Sequence, residues 1–244
     1  MLNQLRNFFR STLDLLLPPS CLACGKPLSS AQKILFCASC AEQIPFITPP
    51  LCTCCGRPYP KAAGDNHFCG LCLTDKRYFD RARAIFIYEA PFKKIIHSFK
   101  YQGQTAGLAG FRLLKQQLPH LDEVDAVDLI VPVPLHKKRL QARGFNQALL
   151  LARAFFPKDG RITTELLLRP GWTEPQTSFN GQARRKNLKN AFFVQKPQQV
   201  TNKKILLIDD VFTTGTTVNE CARALKKAGA AEVMVLTLAR VREE

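Results

Sequence analysis

Apolar positions in the last third of the chain change their period twice. Lys203 and Lys204 introduce Ile205, Leu206, Leu207 and Ile208, an unbroken apolar run of the kind shown by a strand buried on both faces. Beyond Asp209 to Thr217, the residues Val218, Cys221, Ala222, Leu225 and Ala228 recur at helical spacing, and Gly229 is placed to end that helix. Glu232 to Ala239 returns to strand character. Strand, loop, helix and strand make a βαβ unit, and its loop falls at the carboxyl end of the first strand, where open α/β sheets bind ligands. At the other terminus, Leu2, Leu5, Phe8, Phe9, Leu13, Leu16 and Leu17 lie near helical spacing, with Arg6 and Arg10 on another face. Such a helix either lies on a membrane surface or packs on the second domain, and its small net charge favours packing.

Composition sharpens this picture in one respect. The 244 residues are 46% apolar and 22% charged, which suits a globular chain, but 35 Lys and Arg face only 19 Asp and Glu. A balance of +16 calls for anionic partners: phosphates, nucleic acid or an acidic membrane face. The excess is uneven, with 7 basic and 4 acidic side chains in residues 1–76 against 28 and 15 in residues 77–244. The clustering of cysteines before residue 76 divides the chain into a small domain, 1–76, and a larger domain, 77–244, which carries most of the anion-binding charge. No run approaches the roughly 20 apolar residues of a bilayer span. The first segment has polar residues where a signal peptide needs an apolar stretch, so a cytoplasmic protein is expected, with peripheral contact at the inner membrane face as the further option.

Nine of the ten cysteines lie between Cys21 and Cys72, and eight of these form four successive C-x-x-C pairs: Cys21/Cys24, Cys37/Cys40, Cys52/Cys55 and Cys69/Cys72. Two residues between thiolates let both sulfurs of a tight turn face one point, and a second such turn completes a tetrahedral zinc site. Pairing in order gives Cys21, Cys24, Cys37 and Cys40 for one zinc and Cys52, Cys55, Cys69 and Cys72 for the next; the sequence leaves an interleaved pairing open as well. Cys54 neighbours Cys55, and the C-x-x-C register favours Cys55 as the ligand. Gly25 and Gly56 each follow the second cysteine of a pair, where the turn asks for positive φ. Four thiolates close the coordination shell, so both zincs are expected to be structural.

Between strand and helix, Asp209 and Asp210 precede Thr213, Thr214, Gly215, Thr216 and Thr217. A phosphate there would meet the free N–H groups of the helix start and several hydroxyls, while Gly215 lets the main chain come close. The carboxylates repel a phosphate and would address hydroxyls or a divalent cation instead. A sugar phosphate with vicinal hydroxyls and magnesium accounts for acids and threonines together. The chain contains neither G-x-x-x-x-G-K-[ST] nor G-x-G-x-x-G, which excludes a P-loop nucleotidase and the dinucleotide-binding fold.

Leu207 to Thr217 (LIDDVFTTGTT) resembles the signature of type I phosphoribosyltransferases. Val131 to His136, Arg143-Gly144-Phe145-Asn146-Gln147 and Arg184 to Phe192 are similar to stretches of the ComF family of competence proteins, whose members join a double zinc ribbon to a phosphoribosyltransferase domain. The resemblance implies an α/β fold, a parallel sheet with helices on both faces, preceded by the cysteine-rich ribbons. It also implies that Thr213, Thr214, Gly215, Thr216 and Thr217 hold the 5-phosphate of phosphoribosyl pyrophosphate, that Asp209 and Asp210 bind the ribose hydroxyls, and that magnesium accompanies the ligand. Leu129 to Val133 then reads as the earlier strand, and Pro134, Leu135, His136, Lys137 and Lys138 as the turn that holds the pyrophosphate. The related glutamine amidophosphoribosyltransferases use an N-terminal cysteine; here Met1 precedes Leu2, so glutaminase chemistry is not supported.

Two basic runs, Lys137, Lys138, Arg139 and Arg143, and Arg184, Arg185, Lys186 and Lys189, suit either a pyrophosphate or a nucleic-acid backbone. The second follows a polar stretch, Gln176 to Gly181, that reads as a loop, and the resemblance implies that a mobile loop in this region closes over the substrate. Family resemblance implies action on single-stranded DNA during natural transformation, with Phe145, Trp172 and Phe179 as candidate stacking groups. An active phosphoribosyltransferase with an unknown acceptor is the alternative; no catalytic base stands out, His97 and His136 being the available imidazoles. A third reading has the ribbons recruiting proteins of the DNA-uptake machinery.

Overall fold

The structure is a computed structural model that describes residues 21, 23–28, 36–60, 64–90, 92–93, 96, 121, 124–171 and 188–242. The N-terminal helix, His97, Trp172, the loop from Gln176 to Gly181 with Phe179, and Arg184, Arg185 and Lys186 lie outside the described residues.

Four parallel strands form the main sheet: β1 (Arg81–Ile87), β2 (Leu129–Pro132), β5 (Lys204–Phe212) and β6 (Glu232–Arg240), in the order β1-β6-β5-β2. Alternate side chains of each strand point to opposite faces, and both faces are covered. Leu206 and Ile208 share one apolar core with Leu151, Ala152 and Phe155 of helix α4 (Gln147–Phe155), which follows β2. Ile205 and Leu207 share the other with Val218, Cys221, Ala222 and Leu225 of helix α5 (Thr216–Lys227), which follows β5. The apolar run at Ile205 is unbroken because the strand is buried on both sides, and α5 buries the stripe its spacing foretold.

The helix after β2 and the helix after β5 therefore lie on opposite faces, although the two strands are neighbours. Their chains diverge at the carboxyl ends and leave a crevice, the topological switch point of an open α/β sheet. β5 runs four residues beyond the apolar run. β2 stops at Pro132 opposite Ile208, whereas β6 continues to pair with β5 through Asp209↔Thr237 and Phe212↔Arg240. Both acids are thus held by a ladder on one side and open towards the crevice on the other. A two-stranded antiparallel pair, β3 (Leu167–Leu168) with β4 (Phe193–Val194), sits beside the sheet.

The ribbons cover the outer edge of β1. Ile47 N–H donates to the Ile85 carbonyl and Ile87 N–H to that of Pro45, both at 2.9 Å, and Ala82 N–H reaches the Cys54 carbonyl at 2.7 Å. Gly56, at φ 69°, lies so close that a Cβ there would collide with the Ala82 carbonyl oxygen. Arg240, only 2% exposed, closes the junction from inside: its guanidinium donates to the Cys55 carbonyl and stands 4.7 Å from the centre of the Phe212 ring. Among the described residues no helix is long and apolar enough to cross a membrane.

Candidate functional site

The first two C-x-x-C turns build one site and the next two another. Sγ atoms of Cys21, Cys24, Cys37 and Cys40 lie within 4.8 Å of one another, as do those of Cys52, Cys55, Cys69 and Cys72. The pairing is therefore sequential and not interleaved. Tetrahedral zinc with Zn–S bonds of about 2.3 Å requires sulfur–sulfur edges of about 3.8 Å; Cys24 to Cys37 and Cys55 to Cys69 are each 3.7 Å apart.

The two modules are built alike. In each, the amide of the glycine after the second cysteine donates to the carbonyl of the first cysteine, Gly25 to Cys21 at 2.8 Å and Gly56 to Cys52 at 2.9 Å, with φ of 75° and 69°. The third cysteine then caps a short helix, Cys37 before α1 (Ala38–Ala41) and Cys69 before α2 (Gly70–Thr74). Amides of Cys55 and Cys69 point at the Cys52 sulfur at 3.4 and 3.3 Å, an arrangement that favours a thiolate there. Both clusters fit zinc-ribbon sites whose four sulfurs leave no position for substrate. Cys54 lies outside the second cluster, and burial pushes its thiol up.

Over the carboxyl ends of β2 and β5 is a cavity of about 150 Å³. Asp209, Asp210, Thr213 and Thr217 form one wall, and Pro134, Leu135, Arg139 and Arg143 the facing one. Asp209 turns its own Oδ1 to accept from the Asp210 amide at 2.9 Å, which fixes its carboxylate at the rim. Thr213 to Gly215 form the loop; α5 starts at Thr216, so the last two threonines belong to its first turn, where helix N–H groups are unpaired within the helix. Gly215, at φ 73°, rests on the Phe212 ring, and a Cβ there would strike that ring. Thr214 Oγ1 meets Thr216 Oγ1 at 2.8 Å across the loop.

The basic run after β2 divides. His136 N-caps a short helix, α3 (Lys137–Arg143), its Nδ1 accepting from the Lys138 amide at 3.2 Å. Lys137 and Lys138 in the first turn are exposed, while Arg139 and Arg143, four residues apart on one face, enter the cavity wall. Three further residues line the cavity: Arg169, which carried no signal in the sequence, and Asn146 and Gln147, which belong to the Arg143 to Gln147 stretch but were assigned no role from it. Arg169 comes from the end of β3, its guanidinium 5.6 Å from the centre of the Phe192 ring. Asn146 N-caps α4 by accepting from the Ala148 amide at 2.9 Å and donates to the Val133 carbonyl at 3.1 Å, tying helix to strand end. Gln147 is 2% exposed, lines the cavity, and its Nε2 has no hydrogen-bond partner among the described residues.

A second and larger cavity, about 410 Å³, opens on the other side of the α5 N-terminus. Its walls are the segment Asp75 to Tyr78, Lys189 and the α5 residues Thr216, Asn219, Glu220 and Arg223.

The family models match as a double zinc ribbon domain over residues 12–73 and a phosphoribosyl transferase domain over residues 171–244. The chain is 32% identical over 228 residues to Competence protein F of Haemophilus influenzae, an alignment that takes in 90% of this chain and 96% of that protein. The chain belongs to the ComF family of competence proteins. Its ComF relatives include DNA utilization protein YhgH of Escherichia coli O6:H1, 33% identical over 177 residues (70% of this chain, 77% of that one). Competence protein ComFC of Bacillus subtilis is 30% identical over 175 residues, 69% of this chain and 68% of that one. The ComF architecture, ribbons followed by a phosphoribosyltransferase-like parallel sheet, accounts for both cysteine clusters and for the βαβ unit with its acid and threonine loop.

Proposed function

We propose that this ComF-family protein handles single-stranded DNA during DNA uptake in the cytoplasm and binds a sugar phosphate of the phosphoribosyl pyrophosphate class. The observation that carries the sugar-phosphate reading is the cavity over β2 and β5, whose lining brings together the two carboxylates, Thr213, Thr217 and three arginines. Loop amides and hydroxyls would hold the 5-phosphate, the carboxylates the ribose diol, and Arg139 and Arg143 the pyrophosphate. Magnesium, when bound, neutralises the pyrophosphate charge; Asp209 and Asp210 offer the hard oxygen donors that suit it. Pro134 and Leu135 would present their backbone to the same group, and Lys137 and Lys138 would add long-range field only.

Among the described residues lining this cavity, the two aspartates alone could accept a proton, and the reading gives them to the diol. Binding without transfer is the simpler function of such a wall. Calorimetry with phosphoribosyl pyrophosphate and magnesium tests it: saturable heat is expected, and its loss in Asp209→Asn/Asp210→Asn. Absence of binding by the unaltered protein removes the sugar-phosphate reading. Release of pyrophosphate in the presence of a nucleobase or amine would instead favour the transferase. For DNA, the names of the relatives and the charge of +16 support the reading; affinity for a labelled single strand should fall steeply with salt, and a flat response would defeat it.

A further inference from the structure

The larger cavity lies where the zinc ribbons meet α5, and its walls are held rather than loose. Asn219 of α5 accepts from the Tyr78 amide through Oδ1 at 2.8 Å and donates from Nδ2 to the Lys76 carbonyl at 3.4 Å. One side-chain amide thus staples the segment after the second ribbon to the helix that follows the threonine loop. On the opposite side, Arg223 holds Glu220 at 2.9 Å and the Asn190 side chain at 2.8 Å, and the Asn190 amide donates to Glu220 at 3.3 Å. The cleft is therefore preformed, which lowers the entropic cost of filling it.

Its charge is unbalanced. Glu220 is engaged by Arg223, and Asp75 faces Arg77 at 3.9 Å. Lys76 and Lys189 are the surplus, both exposed and both in the lining. Tyr78 lines the same wall, with the Lys76 ammonium 5.2 Å from its ring centre. A narrow cationic cleft with an aromatic ring in its wall suits a single nucleic-acid strand, whose phosphates can approach the lysines while a base meets the ring. A lipid face is flat and would touch only the rim.

We propose that single-stranded nucleic acid binds in this cleft, with Lys76 and Lys189 contacting backbone phosphates and Tyr78 offering a stacking face, and that the exposed lysines of α3 are not the binding surface. The proposal rests on the nucleic-acid reading above and locates it. It also brings the strand against the sugar-phosphate loop, because Thr216 belongs to the cleft wall and its hydroxyl meets that of Thr214 at 2.8 Å.

The test compares the zinc-loaded full chain with Lys76→Glu/Lys189→Glu and with Lys137→Glu/Lys138→Glu, by fluorescence anisotropy of labelled dT and dA oligomers across a salt series. Two lost phosphate contacts should lower the slope of log affinity against log salt by about 1.4 and weaken binding roughly tenfold, equally for both oligomers, in the first variant only. Equal binding by the first variant and the unaltered protein, or loss confined to the α3 variant, overturns the location. Failure of the unaltered protein to bind any single strand instead removes the nucleic-acid reading itself. Should the first variant not hold two zincs, photocrosslinking of a bromodeoxyuridine oligomer to the unaltered chain decides. Adducts at 75–78 or 189 support the cleft, and adducts confined to 137–143 or elsewhere refute it.

Discussion

Gln147 offers a substitution whose effects on stability and on ligand affinity should run in opposite directions. The residue is 2% exposed and lines the cavity over β2 and β5, and its Nε2 has no hydrogen-bond partner among the described residues. An unsatisfied buried donor costs about 1–3 kcal/mol, a cost that a ligand oxygen would relieve. Gln147→Leu keeps the size and removes the donor, so the ligand-free protein should gain roughly 1 kcal/mol, seen as a rise of about 2–4 °C in Tm. Affinity for phosphoribosyl pyrophosphate with magnesium should fall, because a hydrogen bond to a charged acceptor is worth about 1.5–3 kcal/mol, some tenfold or more in Kd. Thermal unfolding without ligand and calorimetric titration with it measure the two quantities on one preparation. A variant that is less stable than the parent yet binds the ligand equally would refute the reasoning, since the amide would then serve the fold and not the ligand.

The unaltered chain should hold two zincs; Cys52→Ser should lower that to one or fewer by metal analysis, and Cys54→Ser should retain two. Gly215→Ala forces a side chain into the left-handed region at a cost of about 1–2 kcal/mol and drives its methyl into Phe212, so sugar-phosphate binding should fall beyond detection by calorimetry while the zinc content stays at two. Arg240→Met leaves the Cys55 carbonyl without its charged donor and the Phe212 ring without its cation; urea unfolding should report a loss of about 3–5 kcal/mol. Burial raises the Cys221 thiol well above its ordinary value, so alkylation of the native zinc-loaded protein should spare it up to alkaline pH and modify it only after unfolding.

What could be read from the residues alone was whatever local periodicity and spacing enforce. Ile205 to Ile208 are apolar on both faces because two helices press on them, and Val218 to Leu225 keep the helical stripe because one side of α5 is buried. The sulfur clusters followed from C-x-x-C turns, each closed by hydrogen bonds within a few residues. Their order of pairing needed space and not spacing. The extent of β5 was missed because a strand bearing two carboxylates does not look buried; its ladder with β6 decides the matter. Arg169 reaches the cavity from β3, distant in sequence from the ends of both β2 and β5, whereas Gln147 follows Asn146 in the stretch that carries the family resemblance. Helical phase separates Arg139 and Arg143 from Lys137 and Lys138, a signal that was present once α3 is taken as a helix. Arg240 lies just beyond the run from Glu232 to Ala239 that reads as a strand, and its burial depends on a ring 28 residues earlier and a carbonyl 185 residues away.

The bonds from Pro45, Ile47 and Cys54 to β1 have a consequence for the life of the protein in a cell. An uncovered outer strand is a template onto which other chains can add, and here that strand is shielded by segments whose own shape depends on metal. Shortage of zinc would then do more than unravel two small modules: it would lay bare a sticky border and leave a guanidinium stranded in the interior. The amount of usable protein should accordingly track the metal supply, with the starved fraction found in inclusion bodies or degraded rather than as a trimmed but working remainder.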